Sequence, residues 1–530
     1  MNKIESIPLV ETGLLSNLIA DYLNKESAIN NLYANFPTLK GFEHQIKNRK
    51  HFNFQQRELL VSVLQTQNKK INLTEKTRFN IHQLKSENTF TVTTGHQLNL
   101  FTGPLYVIYK ILTTINLADE LNKKFPENYV VPVFWMATED HDFDEINHFW
   151  VNHKKIQWNK NIGGAVGKIT TDDLQTVFNQ FKEIINNQPN ADYLIDLFEN
   201  TYLKQDNLAN ANRYLINELF GKFGLVIIDG NDPQLKSVFK PFMVDELTNY
   251  SCKKAVDLSN VELDKKYKIQ VTPRTINLFY LKENFRERIV YVDEQFKILN
   301  TKIAFSKDEI IEEVENFPER FSPNVLMRPL YQEVILPNLC YVGGAGELAY
   351  WLQFKSYFEV QNVDFPILLH RNSAFILTKK QEEKLKKLKV SYSDLLLHLP
   401  QLINKKTKEI TELTIDFSKE RENLKSIFLE MEKIAELTDK SFIGAVKAQH
   451  QKQINGLNKL EKRLFKAEKR KHQDYINQLT KLHFEFFPNG NLQERVINIS
   501  DFLVQNEHVI SDLKEQLNPL EATFDFILYP

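Results

Sequence analysis

Glycine is scarce in this chain. Only 16 of its 530 residues are glycine, well under the roughly 7% usual in proteins, so collagen-like and glycine-rich low-complexity classes are excluded. Eleven of the 16 fall between Gly95 and Gly346. Backbone that turns sharply or lets a ligand come close is therefore expected in that middle stretch. Cysteine is scarcer still. Cys252 and Cys340 stand alone, which excludes a disulfide framework and a CxxC metal motif and fits a reducing compartment. Cys340, within LPNLCYVGG, reads as a small buried apolar residue. Net charge is nearly absent as well: 67 basic against 68 acidic side chains leave −1, no global field for nucleic acid or anionic lipid. No apolar run approaches the roughly 20 residues of a membrane span. The opening MNKIESIPLVETGLLSNLIADYLN is acidic throughout and unlike a signal peptide. The expectation is a cytoplasmic, unanchored protein without nucleic-acid or membrane partners.

What is present is material for large cores. Hydrophobic residues make up 42%, charged 25% and aromatic 12%, with 38 Phe and 19 Tyr, a globular and not a disordered balance. A chain this long exceeds one ordinary core, so two or three domains are expected. Residues 1–88 read as helical and polar. FTVTTG (90–95) reads as a short strand, Asn99–Pro104 as a loop, and Pro104 as a first helical residue. In the helix PLYVIYKILTTINLADELNKK, Leu105, Ile108, Leu112, Ile115 and Leu117 favour one broad face. VVPVFWMA (130–137) then reads as a buried strand. Strand, helix, strand is a βαβ unit, which predicts an α/β fold with a parallel sheet. FGLVIIDG (223–230) and FPILLHRNS (365–373) read as further strands of that type, with connecting inserts at roughly 150–220 and 250–320. IGGAVGKI (162–169) reads as a turn-rich hairpin, since it lacks the GK[ST] ending of a phosphate loop.

From Leu377 to about His483 the character changes. Glycine is reduced to Gly444 and Gly456, and charge density rises. Leu424, Ile427, Met431 and Ile434 repeat at spacings of three and four, as do Leu457, Leu460, Leu464 and Ala467, which predicts coiled-coil seams in a long helical arm. The basic run LEKRLFKAEKRKHQ reads as a solvated helix face, with a nucleic-acid patch as the alternative. The division expected is a core over 1–376, an arm over 377–483, and a tail over 484–530 that packs back on the core.

Four motifs could carry chemistry. TTGHQLNLFTGPLYVIYK (93–110) sets Gly95, His96, Gln97, Thr102, Gly103 and Pro104 between a strand end and a helix start, with Tyr106 and Lys110 on the helix. Free amides and the helix dipole suit a phosphate or carboxylate there, and Thr102 can cap the helix; the alternative is that the glycines only make the turn. ATEDHDFDEINH (137–148) crowds Glu139, Asp140, His141, Asp142, Asp144 and Glu145 at a strand end. Such a cluster repels unless something cationic answers it, be it Mg²⁺, a substrate ammonium or arginines. No zinc-ligand spacing is present, and a solvated loop is the alternative. In NVLMRPLYQEVILPNLCYVGGAGELAYWLQ (324–353), Arg328 and Gln332 precede Gly343, Gly344 and Glu347. The glycine turn lets backbone approach a ligand, and Glu347 could bind an ammonium or act as a base; a tight turn between packed elements is the other reading. In LLHRNS (368–373), Arg371 could clamp an anion or make a surface ion pair.

Together these four motifs resemble one family, the bacillithiol biosynthesis cysteine-adding enzymes, in TGHQLNLFTGPLYVIYK, PVFWMATEDHDFDEINH, RPLYQEVILPNLCYVGGAGELAYWLQ and FPILLHRNS. The likeness runs through most of the chain. It implies a Rossmann-like core with connecting inserts and a helical coiled-coil segment through which a homodimer forms. It also implies addition of L-cysteine to glucosaminyl-malate as an amide on the sugar amine. The chain departs from that pattern at His96, where glutamine is commoner, which shifts the binding role onto Gln97, Thr102 and Gly103. It departs again at Ala345, where proline is commoner, and no KMSKS-type loop follows the last strand.

A carboxylate does not acylate an amine at neutral pH unless it is activated. The resemblance implies activation by ATP or another nucleotide, and Mg²⁺ is a cation that the acidic cluster could admit. The expected roles place phosphate or carboxylate at Thr102–Pro104, the catalytic ammonium or amine chemistry at Asp140, His141, Asp142 and Glu347, and malate carboxylates or phosphate at Arg328 and Arg371. Two other classes stand beside this: a nucleotide-binding coiled-coil scaffold, and a metal-dependent hydrolase using the EDHD cluster.

Overall fold

The run YVVPVFWM is buried almost throughout, and its side chains alternate between two cores. Val131, Val133 and Trp135 enter one, while Phe134 and Met136 enter the other. A strand apolar on both faces belongs in the middle of a covered parallel sheet. The computed structural model, which describes residues 1–49 and 52–529, places it there. Lys50, His51 and Pro530 lie outside the described residues.

The sheet has five strands: β1 (Thr89–His96), β2 (Tyr129–Met136), β3 (Val226–Asp229), β4 (Asn338–Gly343) and β5 (Ile367–His370). Their order is β3-β2-β1-β4-β5, all parallel. This is a doubly wound order whose direction reverses beside β1, and such sheets bind ligands outside the strand carboxyl ends at that reversal. Helix α1 (Leu105–Lys124) joins β1 to β2. Helix α2 (Pro233–Asn249) follows β3, α3 (Met327–Ile335) precedes β4, and α4 (Ala345–Trp351) follows it. From sequence, LPNLCYVGG reads only as an apolar stretch around a cysteine; it is β4, and Cys340 is indeed buried.

Other expectations are corrected. Residues 1–88 are not all helical: Asn2–Pro8 is a strand, paired antiparallel with Thr523–Tyr529, and the strand Ser373–Thr378 completes this small sheet. Its partner lies more than 500 residues away, beyond the reach of local periodicity. IGGAVGKI forms no hairpin. It holds one short 3₁₀ turn, Val166–Lys168, and the amides of Val166 and Gly167 donate to the carbonyls of Asp140 (2.7 Å) and Thr138 (2.9 Å). A Cβ on Gly167 would come within 2.7 Å of the Thr138 side chain, so glycine is required for this close approach. The later insert adds an antiparallel sheet built from 278–282, 285–292, 295–298, 304–305 and 321–323.

The described residues divide into two compact units, 1–376 with 491–530, and 377–490. In the second, α5 (Ser418–Glu436) packs against α6 (Lys440–Lys471). Phe428, Ala435 and Val446 form the buried seam, with Leu424 and Ile443 against it. The seam expected from sequence is met at Leu424 alone of its first four positions: Ile427, Met431 and Ile434 are 50%, 45% and 63% exposed. The hairpin buries positions one step along the helix, and the spacing of three and four does not distinguish the two faces.

Candidate active site

Each of the five strands delivers chemistry to one place. A cavity of about 780 Å³ opens at their carboxyl ends, lined by Gly95 and His96 from β1, Thr138, Glu139 and Asp140 beyond β2, and Asn231 beyond β3. Gly344 and Glu347 enter beyond β4, and Arg371 beyond β5. The volume suits a ligand of metabolite size.

The acidic loop meets the cavity in part. Gln97, also at the wall, donates through Nε2 to Asp140 Oδ2 (2.8 Å) and Glu145 Oε2 (2.9 Å). Asp140 Oδ1 accepts the His141 amide at 2.7 Å. Burial would raise the Asp140 carboxyl, but His141, Gln97 and the charge of Arg286 outweigh it and hold it far below the usual carboxylate range. Glu139 accepts from buried Lys236 at 2.6 Å, and Lys236 also donates to the Phe321 carbonyl. Two expectations fail here. His141 and Asp142 are exposed and do not line the cavity. Both lie in the loop ahead of the short helix Phe143–Ile146, and His141 Nδ1 instead lies 3.0 Å from an Arg286 terminal nitrogen. Among the described residues, no three His, Cys, Asp or Glu side chains converge as a metal site. Their lone pairs answer Lys236, Gln97 and Arg286.

Glu347 is not placed to act as a base. It accepts from Lys110 Nζ (2.9 and 2.8 Å), from the Tyr341 hydroxyl (2.6 Å) and from the Gly344 amide (2.9 Å). Burial pushes its carboxyl up, yet these donors bring it down to about 2, so at neutral pH it is a fixed anion. Lys110 itself is buried behind the wall and also donates to the Gly95 carbonyl at 2.5 Å. Lys110 supports the cavity and does not line it. His96 does line it; burial, with Lys110 and Arg371 nearby, brings its imidazole down to about 3, so it is neutral. Tyr106, 3.4 Å from His96 Nε2, is pushed up to about 12 by burial and by Glu347.

The loop expected to hold phosphate is closed. Thr102 is buried and makes no cap on α1; Pro104 takes the cap position. Asn498 Nδ2 donates to the carbonyls of Phe101 and Gly103, both at 2.6 Å, and the Leu105 amide donates to the Ile497 carbonyl. Thr102, Gly103 and Pro104 do not line the cavity, because the C-terminal segment has taken the helix-start amide that an anion would use. Gly343 and Gln332 lie behind the wall too. Gln332 is buried and accepts from Arg328 at 3.0 Å.

The cations expected from sequence are present, alongside others that sequence does not mark. Arg328 lines the cavity, its guanidinium 5.7 Å from both the Trp135 and Tyr341 ring centres. One of its terminal nitrogens is buried without a hydrogen-bond partner. Arg371 is a poor free clamp, since Glu494 takes both terminal nitrogens at 2.6 and 3.1 Å. Arg274, Arg286 and Arg495 also line the wall. Each comes from an insert or tail, with no motif around it, and no local pattern could have marked them.

Comparison with known proteins fits this geometry. Residues 2–372 match the family description "Bacillithiol biosynthesis BshC, N-terminal Rossmann-like domain", and residues 374–529 match "Bacillithiol biosynthesis BshC, C-terminal coiled-coil domain". A protein of Flavobacterium johnsoniae named "Putative cysteine ligase BshC" is 49% identical over 518 residues, covering 97% of this chain and 98% of its own length. A Flavobacterium psychrophilum protein of the same name is 49% identical over 527 residues, 99% of each chain. One from Cytophaga hutchinsonii, also so named, is 39% identical over 527 residues, 99% of each. On both domains and over nearly its whole length, the chain belongs to the BshC family of bacillithiol biosynthesis.

Proposed function

We propose that the chain is a ligase forming a carbon–nitrogen bond, which joins the carboxyl group of L-cysteine to the amine of glucosaminyl-malate. The observation that carries this reading is the mixed charge of one cavity. Asp140 and Glu139, which accept from Gln97 and Lys236, share its wall with Arg274, Arg328 and Arg495. A zwitterionic amino acid and an acidic amino sugar need both signs.

Activation is by ATP. The cysteine carboxylate attacks the α-phosphorus and pyrophosphate leaves; the sugar amine then attacks the acyl carbon, and AMP leaves with the carboxylate oxygen. The attacking ammonium must first lose a proton. Asp140, Glu347 and His96 all bind protons too weakly near neutral pH to hold it, so it passes to water. These groups orient: Asp140 holds an ammonium, and neutral His96 accepts or donates one hydrogen bond. With the start of α1 sealed by Asn498, the phosphates fall to the arginines. Mg²⁺ would arrive on the nucleotide, kept by phosphate and water oxygens with a carboxylate such as Glu145. The cytoplasm is the compartment that supplies both ATP and cysteine.

Purified protein given cysteine, glucosaminyl-malate and ATP should yield the cysteinyl product together with AMP. Product without nucleotide cleavage overturns the activation step, and absence of both overturns the ligase reading.

A second copy of the chain completes the arm. Ile427, Met431 and Ile434 form an exposed apolar stripe on α5, and Leu460 is exposed on α6, a pattern suited to a coiled-coil partner. Sedimentation of wild type should give a dimer, and Ile427→Glu with Ile434→Glu a monomer; an unchanged mass would exclude this seam.

A further inference from the structure

The arginines at the cavity differ in how far the protein itself answers their charge. Arg371 is paired with Glu494 in two-fold fashion. Arg286 gives its guanidinium to the Ser322 hydroxyl (3.0 Å) and the Pro323 carbonyl (3.2 Å). Arg495 is exposed, lines the cavity, and takes part in none of the ion pairs among the described residues. Its charge is nonetheless felt at Tyr106 and His370.

The backbone that carries Arg495 is pinned on both sides. Gln493 exchanges two hydrogen bonds with the Ile376 backbone (2.9 and 3.0 Å). Glu494 is buried on Arg371, the Ile497 carbonyl accepts from Leu105, and Asn498 clamps Phe101 and Gly103. A tail segment more than 100 residues beyond β5 is thus built into the site as a wall. The contacts of this mount are made by the neighbours of Arg495, while its own guanidinium faces the cavity and adds no ion pair to the fold.

We infer that Arg495 is a specificity-determining residue, which binds an anionic group of a substrate, carboxylate or phosphate, and makes the C-terminal segment part of the active site. This rests on the ligase reading for the identity of the substrates, but not for the binding itself. The relevant scale is a charge-assisted hydrogen bond, worth roughly a 10- to 100-fold change in affinity.

The test uses the full-length chain with Arg495→Ala and Arg495→Lys. Steady-state kinetics are measured for each substrate, and calorimetric titrations use L-malate and, separately, inorganic pyrophosphate as probes. Arg495→Ala should weaken one anionic ligand by roughly 10- to 100-fold, with melting unchanged, and Arg495→Lys should restore part of the loss. A loss confined to the KM of glucosaminyl-malate and to L-malate assigns the carboxylate. A loss confined to ATP and pyrophosphate assigns the phosphate. Every KM and both probe affinities within about twofold of wild type would overturn the inference, as would a wild-type chain that binds neither probe. If wild type turns over nothing yet binds a probe that Arg495→Ala weakens, the ligase reading falls and Arg495 stands.

Discussion

Lys110 of α1 and Glu347 of α4 form an ion pair at 2.8 Å across the point where the sheet reverses direction, with the lysine side chain 1% exposed and the carboxylate 26%. The pair joins the helix after β1 to the helix after β4, and it fixes the negative wall of the cavity. Its two residues lie 237 positions apart.

Lys110→Met should therefore destabilise the fold by about 3–5 kcal/mol, the usual cost of leaving a partly buried charge without its partner. The acid dependence gives a sharper check. Glu347 sits at about 2 when folded, against an ordinary 4.5. The unfolded chain binds more protons between those values, so its contribution is full above about pH 4.5 and is lost as pH falls toward 2. Without Lys110, burial dominates and the carboxyl rises, so the variant should gain stability on mild acidification where wild type does not. Thermal melting of both proteins from pH 4 to 8 decides this; parallel curves would mean the pair contributes little.

Asp140 and Asp142 should behave differently although only one residue separates them. Asp140 lines the cavity and is hydrogen-bonded by Gln97, while Asp142 is exposed and outside it. Asp140→Asn should lower kcat/KM by about 100-fold, the scale of one positioned polar group lost from an active site. Asp142→Asn should stay within about twofold. Equal losses in the two variants would place the acidic loop differently from the arrangement described.

The sheet was legible where the sequence carries two-faced apolar runs: β1 and β2 were readable within a residue of their observed bounds, and β3 and β5 as strands, though the runs 223–230 and 365–373 are about twice as long as the strands inside them. Readable too was the gathering of strand-end motifs, since consecutive parallel strands present their carboxyl ends on one edge. What escaped was set by distant partners. Thr102 looked like a cap and a phosphate ligand until Asn498, 396 residues away, occupied its loop. Glu347 looked like a base until Lys110, Tyr341 and Gly344 consumed its lone pairs. Arg495 carried no mark, since a single arginine gains meaning only from the surface it faces.

The Asn498 clamp predicts its own effect. Phe101, Thr102 and Gly103 all have positive φ (46°, 68° and 65°), a costly conformation for the first two. Asn498 holds two of their carbonyls. Asn498→Ala should cost about 2–4 kcal/mol, from two buried carbonyls left unpaired. Gly103→Ala should be similarly harmful, because its Cβ would lie 2.7 Å from that of Asn99. Denaturant unfolding measures both. A neutral Asn498→Ala would show the loop is held by packing alone.

Gln332 offers a test of positioning apart from charge. Its Nε2 donates to Glu333 Oε1 at 2.9 Å, and Glu333 is fixed in turn by Asn338 (2.7 Å) and Arg49 (3.0 Å). A guanidinium only donates, so the Gln332 oxygen must face Arg328 and its amide nitrogen Glu333. Gln332→Met keeps the length and volume of the side chain but removes that acceptor. Glu333 retains two donors, so the stability loss should be only about 1 kcal/mol. Arg328, however, loses the contact that sets its orientation between Trp135 and Tyr341. The KM of whichever anionic substrate Arg328 serves should rise by roughly 10-fold with kcat little changed, and Arg328→Ala should raise the same KM at least as far. Were Gln332→Met to lower stability yet leave every KM alone, Gln332 would be a packing residue, and the orientation of Arg328 would have to come from its two aromatic neighbours.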